Sequence, residues 1–165
     1  MWNTFKLAPL SLLIYPVAAL LSWVATLLAW ILSPLIAGIS VVKDTDNVGG
    51  FLSYFYTHNA SLDGGIAQGV KGYKEGLTGF KLWWQRTCWV CRNPAYKFCA
   101  YILGFSGDGA KLIYEDGSKV KPYGYWYVVE TAKGWKFFGY RGKRCWVGWN
   151  YRTYGGRHQL KSKPF

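Results

Sequence analysis

Residues 7–42 form a run of thirty-six positions without an Asp, Glu, Lys, Arg or His. At about 1.5 Å of rise per residue, roughly 20 apolar residues cross the hydrocarbon core of a bilayer, so the run is long enough to cross once. It is richer in Leu, Ala, Ile and Val than a soluble core helix needs. It also holds Tyr15, Trp23 and Trp30, side chains that favour the membrane–water boundary. The run therefore predicts a membrane anchor. The apolar region of a signal peptide is typically about 7–15 residues, far shorter than this one, so an uncleaved anchor is preferred. The alternative is cleavage at Ile36-Ala37-Gly38, where the residues are small enough for a peptidase.

Pro9, Pro16 and Pro34 punctuate the run, and proline cannot donate a backbone hydrogen bond, so each marks a helix start, kink or stop. Two arrangements fit. One is a single tilted span over about residues 10–32, ended at Ser33-Pro34, with 35–42 near the interface. The other is a short helical hairpin in one leaflet, since two crossings of about 20 residues each do not fit. The single span is preferred. The close flanks, Lys6 against Lys43 with Asp44 and Asp46, hardly set an orientation; the Lys and Arg further along favour a cytoplasmic C-terminus.

Removing the anchor leaves about 120 residues, enough for one small domain. The formal charge of +12 is uneven: residues 1–42 carry +1, 43–109 carry +2 and 110–165 carry +9. A basic C-terminal third suits anionic lipid headgroups or nucleic acid phosphates and excludes a cationic partner. The expected segments are an anchor over 1–42, a Gly-rich polar connector over 43–76, an amphipathic helical segment over 77–104 and a basic, aromatic-rich β-domain over 105–165. Together they make an α+β chain.

Cys88-x-x-Cys91 has the spacing of a zinc half-site, but Cys99 and Cys145 lie too far apart to supply the second pair. Buried free thiols are expected, with no metal and no cofactor. In the connector, His58, Asp63, Asp44 and Asp46 read as solvated loop residues, and 51–56 is a short aromatic run that packs on the membrane or the domain.

Residues 77–92 read as a helix. Projected at about 100° per residue, Leu77, Phe80, Trp83, Trp84, Cys88, Val90 and Cys91 fall in one arc, with Lys81, Gln85 and Arg92 elsewhere. Such a helix either covers a small core or lies in the membrane plane. In the second case Trp83, Trp84, Trp89, Lys81, Arg86 and Arg92 sit at headgroup level. Next, Asn93 suits an N-cap, Pro94 the first helical position and Gly104 the residue after the end, giving a second helix over 94–103.

The stretch Trp89-Val90-Cys91-Arg92-Asn93-Pro94-Ala95-Tyr96, with Ile102-Leu103-Gly104-Phe105 after it and Thr57-His58-Asn59-Ala60-Ser61-Leu62-Asp63-Gly64 before it, resembles a family of small proteins encoded by tailed bacteriophages. The resemblance implies an apolar N-terminal run, a Thr-Pro-Asp…Leu-Asp-Gly loop, from which Thr57-His58-Asn59 departs by lacking the Pro and Asp, the Arg-Asn-Pro-Ala-Tyr motif, a Trp-rich C-terminal sheet and a place in the inner membrane of the bacterial host. It implies apolar packing at the positions of Cys88 and Cys91, and it brings no biochemical activity.

From Ala110 the pattern alternates. Asp116-Gly117 after Lys111-Leu112-Ile113-Tyr114-Glu115 predicts a hairpin, and turns at Ala132-Lys133-Gly134 and Gly142-Lys143 complete an antiparallel meander of four or five strands. One face should be buried and the other wet. Lys136, Arg141, Lys143, Arg144, Arg152 and Arg157 would form a basic binding surface. The residues thus point to a membrane-anchored, non-catalytic accessory protein, with a bilayer of anionic headgroups and membrane or virion proteins as partners. A second reading is nucleic acid stacked on Tyr125, Tyr127, Trp146 and Trp149; a third is a virion or delivery component. No paired carboxylates, phosphate loop or Ser-His-Asp set supports an enzyme, and His158 lies in a terminal basic tail.

Overall fold

The computed structural model describes residues 1–57, 61–120, 124–142, 146–150 and the backbone of 155–156. The chain is α+β: helices α1 (Trp2–Leu7), α2 (Pro9–Val42), α3 (Gly64–Ala67), α4 (Gly79–Arg92) and α5 (Tyr96–Tyr101) precede five strands. It divides into two compact units, Met1–Ser22 with Cys99–Phe165, and Trp23–Phe98. This division cuts across the four expected segments, because the connector and the helices that follow it share one core.

Helix α2 is unbroken over 34 residues. Pro9 opens it, as a first-turn proline can. Pro16 and Pro34, expected to kink or stop it, lie inside it, so the span does not end at Ser33-Pro34. Pro34 removes the N–H that would have bonded the Trp30 carbonyl, and the Ser33 hydroxyl donates to that carbonyl instead at 2.8 Å. The helix is two-sided. Ser11, Ala18, Ser22, Ala25, Ala29, Ser33, Ala37 and Ser40 are buried, whereas Leu13, Val17, Leu20, Leu27, Ile31 and Leu35 are exposed.

In the first unit β1 (Lys111–Ser118), β2 (Gly124–Glu130), β3 (Lys136–Gly142), β4 (Trp146–Asn150) and β5 (Gly155–Gly156) form an antiparallel sheet in sequence order. Val128, Phe138 and Trp149 pack with Ala8 and Ala18, joined by Phe5 and Tyr15. Tyr15 meets the rings of Phe138 and Trp149 edge-on, with centroids 5.2 and 5.9 Å away. Among the described residues β3 pairs with β4 from Gly139 to Arg141, and just before that stretch Phe138 donates its N–H to the Ser11 hydroxyl at 3.2 Å. A side chain on α2 thus meets a backbone group of the sheet.

The expected wet face is covered as well: Tyr125, Tyr127 and Val129 are buried with Phe105 and Ala110 against them. Asp116-Gly117 does not turn the chain. β1 runs through it in register, Gly117 opposite Tyr125; only glycine suits the position, with a φ of 113° and the Gly124 carbonyl where a Cβ would lie. The turn at 131–134 is as expected, with Thr131 and Gly134 closing it.

In the second unit Ala25, Ala29, Ile36, Phe55, Tyr56, Leu62, Val90 and Ala95 form the core. Residues 43–76 are therefore more than a connector. Their turn-forming composition conceals a 3₁₀ helix, Phe51–Phe55, that delivers Phe55 and Tyr56 to the interior while leaving Phe51 exposed. The Tyr56 hydroxyl donates to Asn47 Oδ1 and accepts the Val48 N–H, each at 3.1 Å. Burial pushes its pKa up.

Candidate functional site

The densest polar arrangement among the described residues surrounds Arg86, on the buried side of α4. Its Nε and Nη2 donate to the two oxygens of Asp63 at 2.9 and 2.6 Å, and Nη1 donates to the Ser40 hydroxyl at 3.1 Å and the Thr45 carbonyl at 2.9 Å. The Arg86 side chain is 7% exposed and that of Asp63 28%. A bidentate fork of this kind is stronger and more directional than a neutral hydrogen bond. With both carboxylate oxygens held by the guanidinium, the pair acts as a clasp joining the end of α2, the Leu62-Asp63-Gly64 loop and α4.

Trp89 extends the clasp one turn further. It is 1% exposed, its indole N–H donates to the Ser61 carbonyl at 3.1 Å, and Tyr73 meets its ring edge-on at 5.4 Å. Gly64 is required here by space, since a Cβ would lie 2.8 Å from Trp89 Cζ2. Gln85 adds a second fastening: its amide pairs with both the N–H and the carbonyl of Lys74, at 2.9 and 3.0 Å. Burial raises the Tyr73 hydroxyl and Cys88 thiol pKa values.

Arg92-Asn93-Pro94-Ala95-Tyr96 is a turn, not a helix start. Asn93 ends α4, its side chain donating to the Trp89 carbonyl at 3.3 Å, and the next helix begins only at Tyr96. Ala95 adopts a left-handed φ of 49° in the core, and its N–H donates to the Phe55 carbonyl at 2.9 Å. Lys97 then bonds the Tyr56 carbonyl through its backbone at 3.0 Å and Ser53 through its ammonium at 2.8 Å. The motif is thus tied to the 3₁₀ helix by successive hydrogen bonds. Pro94 fits because the turn needs no N–H from it.

The six residues expected at headgroup level divide. Trp84, Lys81 and Arg92 are exposed, and Trp83 is half-buried with its indole N–H on the Pro34 carbonyl at 2.8 Å. Trp89 and Arg86 are interior and are removed from the interface set. The helical projection fails for them because α4 buries Gln85, Arg86 and Thr87 beside Trp89 and Val90, while Phe80 and Trp84 face outward. Asp63, expected as a solvated loop residue, is Arg86's partner. The two lie 23 positions apart, and the only signals were the Leu-Asp-Gly spelling and an Arg between aromatic residues.

Of the basic surface, Lys136 faces Glu130 at 3.6 Å and Arg141 stacks over Trp146 at 5.3 Å. Lys143, Arg144, Arg152 and Arg157 lie outside the described residues, as do His58, His158 and Cys145. Of the aromatics named for base stacking, Tyr125, Tyr127 and Trp149 are interior, which leaves only Trp146 half-open. Cys88, Cys91 and Cys99 are free thiols, with Cys91 beside Ser33 and Cys99 beside Ser22, each at 3.3 Å. No cluster of three His, Cys, Asp or Glu side chains placed to hold a metal occurs among the described residues.

A long two-sided apolar helix, a buried arginine clasp and a double-faced antiparallel sheet together define a small α+β protein with, among the described residues, one helix long and apolar enough to cross a membrane. The chain belongs to a family of unknown function, DUF7338, which it matches over residues 6–165. No curated protein and no solved structure matches it.

Proposed function

We propose that this protein is a non-catalytic, membrane-associated accessory protein that holds a basic domain at an anionic lipid surface. The resemblance at Arg92-Asn93-Pro94-Ala95-Tyr96 supports placing it at the host membrane of a tailed bacteriophage. The observation that carries the reading is the outer face of α2, where fifteen large apolar residues are exposed. Water-soluble monomers rarely expose a contiguous apolar patch beyond a few hundred Å². At roughly 0.5–1 kcal/mol for completing the burial of each such side chain, the face favours lipid over water by on the order of 10 kcal/mol. The charge of +12 adds attraction to anionic headgroups, about 1 kcal/mol for each Lys or Arg close to the surface.

Alkaline carbonate extraction of membranes from expressing cells tests this. The full chain is expected to stay in the pellet, and a variant carrying Leu13→Gln, Leu20→Gln, Leu27→Gln and Ile31→Gln to move into the supernatant. Release of the unaltered chain, or equal retention of both, refutes the reading.

A further inference from the structure

We infer that α2 does not cross the bilayer but lies along its surface, with its aliphatic face sunk into one leaflet and both of its ends on the same side. The inference rests on the membrane reading above and fixes the geometry of that attachment. Three observations carry it.

First, neither half of α2 has an apolar surface all round. In the first unit, Ser11 accepts the Phe138 N–H and Tyr15 packs on Phe138 and Trp149, so a sheet bearing Glu130 and Lys136 at its edge covers one side of that half. In the second unit, Ala29 and Ile36 are core residues and Ser40 binds Arg86. A crossing over about 20 of these residues would carry one of those polar structures into hydrocarbon, where a single charge at the centre costs about 2.5–3.5 kcal/mol or more.

Second, the chain has no way back. α2 is the sole helix among the described residues long and apolar enough to span. If its ends lay on opposite sides, the chain leaving at Lys43 would build the second unit there and then have to return to pack β2 and β3 on the beginning of α2, as it does. α5, with six residues, is far too short to recross.

Third, the aromatic residues are in the wrong place for a span. Trp23 and Trp30 sit near the middle of α2 and are 57% and 49% exposed. In a crossing helix that is the bilayer centre, whereas Trp prefers the interface. In a helix lying in the plane every outward residue stays at interface depth, about 5–10 Å in. Lys6 and Lys43, exposed at the two ends of the uncharged run, would meet anionic headgroups of the same leaflet.

The experiment uses the full chain and its own lysines. Sealed right-side-out and inverted membrane vesicles are treated with a membrane-impermeant amine reagent, and modification of Lys6 and Lys43 is read by mass spectrometry. Surface attachment gives both lysines modified in one preparation and both at least tenfold protected in the other. Modification of one lysine in each preparation overturns the inference and leaves the membrane reading standing. Recovery of the chain in the soluble fraction, with both lysines modified, overturns the membrane reading and the inference with it.

Discussion

The Arg86–Asp63 clasp allows a quantitative test. Replacing Asp63 with Ala leaves a guanidinium that is 7% exposed without its counter-charge, holding only the Ser40 hydroxyl and the Thr45 carbonyl. Breaking a fully buried pair by removing one partner costs about 3–5 kcal/mol. Asp63 is 28% exposed, so water can reach the vacated side, and the lower end, about 3 kcal/mol, is expected. Arg86→Met should cost less, about 2 kcal/mol, because the carboxylate left behind has access to solvent and methionine fills much of the space. The double variant Asp63→Ala with Arg86→Met removes both charges and should cost clearly less than the two single costs summed, by at least about 1 kcal/mol. Urea titration in detergent micelles, followed by tryptophan emission, measures all three. Trp89 reports directly, since its indole is bonded to Ser61 beside Asp63. A loss below about 1 kcal/mol for Asp63→Ala, or strictly additive costs in the double variant, would refute the claim that the two residues form one buried unit.

Four further outcomes follow from the packing. Gly64→Ala drives a methyl to within 2.8 Å of a rigid, buried indole and should cost about 1–3 kcal/mol in the same titration, while Gly69→Ala, with open space around it but a φ of 60°, should cost about 1. At Ala95 the left-handed backbone opposes the buried methyl, so Ala95→Gly should be within about 1 kcal/mol of neutral, and Ala95→Val, β-branched at positive φ, should cost more than 2. Ala29→Leu overfills the core face of α2 and should lower stability by about 1–3 kcal/mol without weakening membrane retention, while Leu27→Gln on the opposite face should do the reverse in carbonate extraction. Burial raises the Cys99 thiol above its ordinary 9.0, against the smaller opposing effect of its Ser22 hydrogen bond. The native state therefore holds this proton more tightly than the unfolded chain. The resulting stability is in place below pH 9 and is lost as pH rises through the raised native value. Wild-type protein should lose more stability than Cys99→Ala between pH 8 and pH 10.5, and exposed Cys91 should react with a maleimide well before Cys99.

What could be read from the residues was what repeats locally. The uncharged run gave α2, and alternation with the glycine turn at 132–134 gave β2 and β3, because periods of 3.6 and 2 are visible within a single element. Gly117 misled because an Asp-Gly pair is usually needed by a tight turn. Its role here is to let β2 approach closely, a fact about a neighbour seven positions away. Arg86 misled for a related reason. A helical projection assigns a charge to the outside by default, and nothing on α4 itself reveals that Asp63 waits opposite. The turn-rich stretch 43–76 concealed its core residues because composition averages over Phe55, Tyr56 and Leu62, three side chains that together decide its packing.

The resembling motifs acquire a common physical meaning from these contacts. Leu62-Asp63-Gly64 supplies a core side chain, the acceptor for Arg86 and the gap that Trp89 fills; Asn93-Pro94-Ala95 supplies the turn that bonds back to Phe55. All of this sits beside the small-residue stripe of α2, where Ser40 meets Arg86 and the Pro34 carbonyl meets Trp83. Small side chains there let the backbone of α2 come close enough for those bonds, and apart from Ile36 and Leu32 most of its bulky aliphatic residues lie on the other side. One sequence pattern, small residues inward and large ones outward, thus has two consequences. It builds protein core on one face of α2, and on the other it leaves an exposed apolar surface, which the function proposed above assigns to lipid.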